Sequence, residues 1–237
     1  MEYQIQRVPI MNFGMVNAYV LQSSKGAVLI DAGIPNSEKR VAAALAKLGL
    51  DYSDLNLIVV THGHFDHAGN ASTLRKLSGA PVLIHEQEAK FCAGEQQMKL
   101  CPTGWVGKLL YKSGAPQTPF GYFTPEVVLS GNDRFDLKPY GLPGYVTSTP
   151  GHTPGSVSVV MDDGQTFVSD LVASGLGLGG VFPTGIAKRP PFEENPHEVA
   201  AALELLLFEG TQHFHLGHGF KLSALAVERH VRALKRL

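Results

Sequence analysis

The sequence predicts a layered α/β protein, in which β-sheets pack against amphipathic helices. Two observations favour this class: short apolar runs of strand length are followed by apolar residues at helical spacing, and this order recurs in both halves of the chain. The chain has 237 residues, of which 44% are hydrophobic, so it can bury a substantial core. The apolar segments continue without a polar linker, and we therefore expect one domain over residues 1–237.

The first third of the chain predicts two strands, a helix and a buried strand. Residues 18–21 and 27–30 are short apolar runs, and the polar, glycine-containing segment between them has hairpin chemistry. From about Ser37, apolar residues recur at i, i+4 and i+7, which indicates a helix that ends at Gly49. Residues 55–60 are apolar and rich in β-branched side chains, so we expect a buried strand there.

The middle of the chain is less regular. Residues 71–77 have a helical pattern, and residues 81–84 have a strand pattern. Residues 88–124 then combine several glycines and prolines with large apolar side chains. Long apolar loops often form lids or pocket walls, and we expect one of these roles for residues 88–124, with a plain surface insertion as an alternative of equal weight.

The second half repeats the order of strands followed by helices. A helix is expected from about Pro196, with Asn195 as its N-cap, and another from about Ser223, because apolar residues follow each start at helical spacing. The repeated order hints at an old duplication, although the identity between the halves is too low to establish one. The strands expected in this half are residues 145–148, 156–161, 166–168 and 211–216.

The overall charge and the cysteine content restrict the partners and the compartment. A formal net charge of -1 and a pI near 6.8 give no general attraction to nucleic acids or acidic membranes. The N-terminal segment does not resemble a secretory signal, and the sequence has no run of about 18 apolar residues that could span a membrane. Cys92 and Cys101 do not form a CxxC pair and suit a reducing compartment. We therefore expect a cytoplasmic protein that acts on a small molecule, with its oligomeric state left open.

A dense run of potential metal ligands follows the expected strand at residues 55–60. The run is His62-Gly63-His64-Phe65-Asp66-His67, with three histidines and one aspartate within six residues. Three imidazoles in one turn would crowd a core, whereas imidazole nitrogens and carboxylate oxygens suit zinc and related divalent ions. His62 and His64 lie two apart and can face one ion from an extended segment. Asp66 and His67 begin a helical turn and can reach a second ion.

This run matches an HxHxDH signature, and the segment THGHFDHAGN resembles the glyoxalase II branch of the metallo-β-lactamase superfamily. The resemblance implies a four-layer αββα sandwich, with two mixed β-sheets flanked by helices. It also implies the remaining ligands: His152 in a Gly-His-Thr loop, Asp170 at the end of a strand, and His218 in a Gly-His-Gly segment. Asp31 matches an early aspartate of the family, which supports the ligands without binding metal.

The ligand set implied by the resemblance holds two divalent metal ions. Zinc is the expected metal, and iron or manganese are the alternatives. A metal-bound hydroxide would attack a small ester, thioester, lactone or related acyl substrate, so the expected activity is that of a dinuclear metal-dependent hydrolase. Asp66 would steer this hydroxide and is the expected catalytic residue. One ion is assigned to His62, His64 and His152, the other to Asp66, His67 and His218, and Asp170 bridges them.

The substrate is less well defined than the metal site. Glyoxalase II carries a separate helical domain for glutathione, whereas this chain ends about twenty residues after His218, which argues against glutathione thioesters. An iron-dependent persulfide dioxygenase of the same fold is the main alternative, followed by a β-lactam or phosphodiester hydrolase and by a non-catalytic binding protein. The aromatic residues expected to line the substrate pocket are Trp105, Tyr111, Phe120, Tyr122 and Phe182.

Five further histidines have no ligand role in this scheme. His85 follows a strand, and a surface position is expected for it. His213 and His215 lie two apart on one face of their strand, and a structural role is expected because the sequence offers no third ligand nearby. His197 and His230 are expected at exposed positions of their helices.

Overall fold

The computed structural model describes residues 2–176, 179 and 181–237, which form two six-stranded sheets, a two-stranded ribbon and helices. The strands are β1 (Gln4–Pro9), β2 (Asn17–Ser23), β3 (Gly26–Ile30), β4 (Leu55–Val59), β5 (Val82–His85), β6 (Val127–Leu129), β7 (Arg134–Asp136), β8 (Gly144–Ser148), β9 (Val157–Met161), β10 (Gln165–Ser169), β11 (Ala173–Ser174), β12 (Ala187–Lys188), β13 (His213–Leu216) and β14 (Leu222–Ser223). The α-helices are α1 (Glu38–Lys47), α2 (Phe65–Ala68), α3 (Ala71–Ser78), α4 (Glu86–Cys92), α5 (Gly104–Ser113), α6 (Pro196–Phe208) and α7 (Ala224–Leu234). Within this part of the chain, no helix has the length and apolar character needed to cross a membrane.

Each six-stranded sheet combines parallel and antiparallel neighbours. The first sheet has the order β1-β2-β3-β4-β5-β6 and is antiparallel from β1 to β3 and parallel from β3 to β6. The second sheet has the order β14-β13-β10-β9-β8-β7 and is antiparallel except for the parallel pair of β10 and β13. The strands β11 and β12 form the separate ribbon. Both main sheets are therefore mixed, as predicted.

Three apolar clusters separate four layers of structure. Between the two sheets, Leu57 and Val59 of β4 belong to the same buried cluster as Val159 and Phe167 of the second sheet. The other face of the first sheet packs against α1 and α3, and the other face of the second sheet packs against α6 and α7. Burial of each large apolar side chain in these clusters contributes about 1.5–3 kcal/mol. The layers are helix, sheet, sheet and helix, so the predicted αββα sandwich is confirmed.

Strand β4 shows why polar residues gather where strands end. Leu57 and Val59 face the second sheet, while Ile58 and Val60 belong to the cluster under the helices, so both faces of the strand are buried. After Asn56, which is exposed near the start of β4, the rest of the strand is apolar and buried, and the His/Asp run begins where the strand ends. Asp170 follows β10 in the same way, and β10 lies parallel to β13.

Residues 88–124 contain more regular structure than their composition predicts. Helix α4 extends to Cys92, and α5 follows within the same segment. Gly107 lies inside α5 because a Cβ there would come within 2.1 Å of the Pro191 carbonyl oxygen, so this glycine permits close packing and does not mark a loop. Strands β1, β6 and β7 are also absent from the prediction. β6 and β7 have only three residues each, and β1 is mostly half-buried without clear alternation.

Two histidines lie deeper in the fold than the sequence predicts. The surface position expected for His85 is wrong: this residue ends β5, is only 2% exposed, and its Nδ1 accepts a hydrogen bond from the Gln87 N–H at the start of α4. The exposed position expected for His230 is also wrong, because it is only 7% exposed. His230 directly precedes the buried Val231 on the inner face of α7.

The other three histidines outside the predicted ligand set are placed as expected. His197 is exposed on α6, His213 is half-buried, and His215 is buried on β13. The ring of His215 stacks on Phe167 with 4.4 Å between the ring centroids. Its Nε2 lies 2.8 Å from the side-chain oxygen of Gln165. These contacts give His215 a structural role in the second sheet.

Candidate metal centre

Seven histidine and aspartate side chains from four separate segments meet at one edge of the sandwich. The run after β4 supplies four of them, two from an extended loop and two from α2. The β8–β9 loop, the end of β10 and the loop after β13 supply one each. Ligand atoms lie within 4.8 Å of one another in each of three groups, which are His62, His64 and His152; His62, His67 and Asp170; and Asp66, His67 and His218.

Three imidazole rings form the first half of this centre, the three-histidine group of His62, His64 and His152. His62 Nε2 lies 3.0 Å from His64 Nδ1, and His152 Nε2 lies 3.1 Å from each of these nitrogens. Burial lowers the pKa of His64 and of His152 to about 3, and it lowers the pKa of His62 as well. The rings are therefore neutral at pH 7, and their lone pairs are available. Thr61 Oγ1, 3.0 Å from His62 Nδ1, orients the first ring.

The second half of the centre combines imidazoles with carboxylates. His218 Nε2 lies 3.0 Å from Asp170 Oδ2 and 3.4 Å from Asp66 Oδ2. His67 Nε2 lies 3.5 Å from Asp170 Oδ1 and 3.8 Å from Asp66 Oδ2. Asp170 Oδ2 is also 3.8 Å from His152 Nε2. Asp170 therefore lies between the two halves of the centre.

The carboxylates determine the charge of the second half. Burial lowers the pKa of His67, but the charges of Asp170 and Asp31 outweigh burial and raise this pKa to about 10. The pKa of His218 is also raised, because Asp170 outweighs the effect of burial. Burial raises the pKa of Asp170, yet His218 and His67 hold it well below its usual range. A divalent ion that binds here displaces the protons of these imidazoles, so metal affinity falls at low pH.

Asp31 holds the second half of the centre from outside it. Its Oδ2 accepts hydrogen bonds from His67 Nδ1 at 2.8 Å and from Ser169 Oγ at 3.0 Å, and its Oδ1 accepts one from the Thr61 N–H at 2.8 Å. Because Nδ1 donates to Asp31, His67 has Nε2 left to direct at a metal ion. The φ of Asp31 is 61°, a left-handed conformation that aspartate adopts more readily than most residues. Asp31 thus contacts a candidate ligand and does not point into the centre.

The donor atoms of the centre fit divalent metal ions. His67 Nε2 and Asp170 Oδ1 are buried and have no hydrogen-bond partner among the described residues. Buried polar atoms without a partner are destabilising unless an ion coordinates them. A zinc ion with bonds of about 2.0–2.1 Å separates its tetrahedral ligands by about 3.3 Å. The nitrogen atoms of the three-histidine group, 3.0 to 3.1 Å apart, are close to this spacing. Coordination by the seven residues stays a prediction for metal analysis to test.

The loop of His218 is held by contacts that the sequence does not predict. The Met15 carbonyl accepts a hydrogen bond from His218 Nδ1, which directs Nε2 into the centre. The Asn17 side chain donates to the Gly219 carbonyl at 2.8 Å. The sequence near residue 17 has no recognisable motif. Its one signal is an asparagine directly before the apolar run at residues 18–21.

Two cavities adjoin the centre. The inner cavity has a volume of about 180 Å³ and contacts four candidate ligands and several apolar side chains. The outer cavity has a volume of about 420 Å³ and is lined by apolar and polar side chains, mostly from residues 91–100 and 116–122. His64 and Phe65 line both cavities. The candidate ligands at the inner cavity are His64, Asp66, Asp170 and His218, and its apolar lining includes Leu100, Leu110 and Phe192.

The five aromatic residues predicted as pocket walls are divided between the outer cavity and the surface. Phe120 and Tyr122 line the outer cavity. Trp105, Tyr111 and Phe182 are 77%, 47% and 83% exposed, and none of these three described side chains lines either cavity. Helix α5 directs Trp105 and Tyr111 outward and presents a different face to the inner cavity.

Comparison with known proteins extends these observations. Residues 11–210 match a family model described as the metallo-beta-lactamase superfamily. The chain is similar to YflN, a probable metallo-hydrolase of Bacillus subtilis strain 168, with 26% identity over 230 residues that cover 88% of this chain and 82% of YflN. It is also similar to the hydroxyacylglutathione hydrolase GloC of Haemophilus influenzae, with 24% identity over 187 residues that cover 76% of this chain and 77% of GloC. A metallo-beta-lactamase family protein from Thermus thermophilus has the same fold, with a TM-score of 0.69 at 19% identity over 99% of this chain and 78% of that one.

Proposed function

This chain belongs to the metallo-beta-lactamase superfamily, and we propose from that premise that it is a dinuclear hydrolase of small, uncharged acyl compounds. The family and the His/Asp cluster indicate a metal-dependent hydrolase. The number of ions and the substrate class are the proposal. Zinc is the proposed metal, with iron and manganese as alternatives, because imidazole and carboxylate donors suit all three. Esters, lactones and thioesters with an apolar acyl group are the proposed substrates.

One observation supports this substrate class: the inner cavity joins candidate metal ligands directly to an apolar wall. Its volume of about 180 Å³ suits a small acyl group. Among the described residues that line the inner and outer cavities, none is a lysine or an arginine. Away from the bound ions, a carboxylate or phosphate group of a substrate would lose hydration there without gaining a lysine or arginine as a partner.

The similarity to GloC supports hydrolysis of an acyl compound. GloC is named a hydroxyacylglutathione hydrolase, and glutathione carries two carboxylates. Those carboxylates would find no lysine or arginine among the described residues of either cavity wall. We therefore expect this chain to prefer an uncharged thioester over the glutathione thioester of the same acyl group.

The residues around the inner cavity have different roles in the proposed reaction. Bound ions would supply Lewis acidity and an activated water next to this cavity. A carboxylate oxygen of Asp66, whose side chain is partly exposed on the cavity wall, would accept the proton of the attacking water. Leu110 and Phe192 would orient the acyl group and keep bulk water away from it. The proposed ligands are His62, His64 and His152 for one ion, Asp66, His67 and His218 for the other, and Asp170 for both.

The test measures metal content and turnover on one preparation of the full chain. Metal is quantified by ICP-MS, and the substrates are p-nitrophenyl butyrate, a γ-lactone and two thioesters that carry the same acyl group on a neutral thiol and on glutathione. We expect about two equivalents of metal and a kcat/KM about 10-fold higher for the neutral thioester, because an unpaired charge is expensive to desolvate. His62→Ala and Asp66→Ala should lose metal and activity, whereas His197→Ala, exposed on α6, should keep both.

Each outcome discriminates between parts of the proposal. A metal-free chain with full activity, or a metal-loaded chain that hydrolyses none of the four substrates, would contradict the hydrolase function. Faster turnover of the glutathione thioester would contradict the substrate class alone. One equivalent of iron with release of sulfite from glutathione persulfide would identify a persulfide dioxygenase instead.

A further inference from the structure

A buried glutamate connects the two loops that carry the three-histidine group. Glu88, in the first turn of α4, has no exposed surface. Its Oε2 accepts a hydrogen bond from the Gly63 N–H at 2.9 Å, and its Oε1 accepts one from the Gly155 N–H at 3.0 Å. Gly63 lies within the segment 62–64, and Gly155 belongs to the loop of His152. One carboxylate therefore bridges the two loops through their backbones.

Both loops have glycine where this carboxylate approaches. A Cβ at Gly155 would lie 2.6 Å from Glu88 Cγ, and a Cβ at Gly63 would lie 3.1 Å from Glu88 Oε2. Burial raises the pKa of Glu88, while the hydrogen bonds from Gly63, Thr153 and Gly155 act in the opposite direction. Both oxygens act as acceptors, which suits an ionised carboxylate. The two glycines thus permit a contact that larger residues would displace.

A second connection joins the same loops at their base. The Val157 N–H, at the start of β9, donates to the Thr61 carbonyl at 2.9 Å. This connection lies at the strand end of the two loops, whereas Glu88 joins them at Gly63, between two of the histidines, and at Gly155, three residues after the third. With both connections in place, His152 Nε2 lies 3.1 Å from His62 Nε2.

We propose that Glu88 is a positioning residue that sets the separation of these two loops and thereby the affinity of the three-histidine group for a divalent cation. The inference rests on the proposed metal site and concerns this group alone. Removal of side chains that orient metal ligands from outside weakens metal binding about 10–100-fold. Glu88→Gln is the most specific substitution, because it keeps the side-chain volume and removes one hydrogen bond. It replaces one acceptor oxygen with an NH2 group that faces a backbone N–H.

Cobalt titration can examine each half of the centre separately. The full metal-free chain is titrated with Co²⁺ against a chromophoric chelator in two backgrounds. His218→Ala leaves the three-histidine group intact, and His152→Ala leaves the second group intact. We expect Glu88→Gln to raise the Kd for Co²⁺ about 10-fold or more in the His218→Ala background, and less than about twofold in the His152→Ala background. A general loosening of the fold would weaken both groups.

Glu86→Gln is the matched control, because Glu86 lies on the same helix but is exposed and accepts a backbone N–H outside the centre. Equal Co²⁺ affinity of this control and of Glu88→Gln in the His218→Ala background overturns the inference and leaves the proposed function intact. A wild-type chain that binds no Co²⁺ overturns both. If Glu88→Gln does not fold, hydrogen exchange on the wild type decides: the Gly63 and Gly155 amides should be protected, and rapid exchange of either contradicts the inference.

Discussion

The two halves of the sandwich contribute to the candidate metal centre in different ways. Residues 2–129 form the first sheet with its helices and supply four candidate ligands from one six-residue run. Residues 134–237 form the second sheet with its helices and supply three candidate ligands, each from a different loop. Ligands within one run are spaced by their own backbone, whereas ligands on separate loops depend on whatever holds those loops.

Side chains of the first half hold each of these three loops. Each of these contacts is a hydrogen bond to a residue that lies within three positions of a candidate ligand in the sequence. The first half of the sandwich therefore contains four candidate ligands and also contacts the loops that carry the other three. The pairs are Glu88 with Gly155, Asp31 with Ser169, and Asn17 with Gly219.

The largest expected effect comes from Asp31→Asn. Asparagine keeps the size of the side chain and tolerates the left-handed backbone at this position. In either orientation of the asparagine amide, its NH2 group faces another donor, which is His67 Nδ1 or the Thr61 N–H. One of these two hydrogen bonds is therefore lost. We expect the Co²⁺ affinity of the group of Asp66, His67 and His218 to fall about 100-fold in the His152→Ala background. Asp51→Asn, at an exposed position, is the control. If Asp31→Asn and this control have the same Co²⁺ affinity, the first half of the sandwich does not position the second group through Asp31.

Asn17→Ala tests the contact with the loop of His218 and should have an intermediate effect. Alanine removes a buried donor shared by four backbone carbonyls, and we expect a loss of about 1–2 kcal/mol in the free energy of unfolding. Urea denaturation of the metal-free chain measures it. Gln22→Ala is the control on the same strand, because that side chain donates to a single carbonyl at 3.3 Å, and equal losses would argue against a special role for Asn17. The four carbonyls, 2.8 to 3.3 Å from Asn17 Nδ2, belong to Gly14, Leu216, Gly217 and Gly219.

The smallest expected effect is that of a substitution at His230, which lies in the second half of the sandwich, away from the contacts with the first half. Burial, assisted by the charge of Arg189, lowers the pKa of His230 from 6.5 to about 4. As the pH falls through this window, the unfolded chain takes up a proton at His230 before the folded chain does, so stability decreases with acidity. The free energy of unfolding should fall between pH 7 and pH 5 in both proteins. In His230→Leu, which lacks this imidazole, the fall should be smaller than in the wild type by on the order of 1 kcal/mol.

Urea unfolding of the metal-free chain at the two pH values measures this difference. His197→Leu, at an exposed position of α6, serves as the control and should retain the pH dependence of the wild type. If His230→Leu loses as much stability as the wild type, the buried imidazole does not contribute to acid sensitivity. The second half would then owe its pH dependence to other groups.

The candidate ligands from the first half of the sandwich are also those that local sequence predicts best. The strand β4 and the run 62–67 are contiguous, so spacing alone indicates that four ligands converge. His152, Asp170 and His218 are single residues in short loops, and their assignment came from a family resemblance, because spacing within one loop carries no information about the others. The αββα layering followed from the same resemblance together with the alternation of strands and helices.

The positioning contacts were not predictable, because they depend on which loops meet in space. Glu88 offers one local signal, since it lies four residues before Cys92 and both are buried on the same face of α4. His230 offers a comparable signal that was misinterpreted. Its spacing from Val227 and Val231 predicts the inner face of α7, and the expectation of an exposed side chain was wrong because a neutral imidazole can be buried.

During synthesis, the six-residue run leaves the ribosome well before the loops of the second half. A growing polypeptide therefore offers three imidazoles and a carboxylate as an incomplete chelator. Such a chelator follows the Irving–Williams order, in which copper binds more tightly than zinc, and only docking of the later loops imposes ligand number and geometry. On the proposed ligand assignment, a preference for zinc over copper would therefore arise only after the loops of His152, Asp170 and His218 have docked.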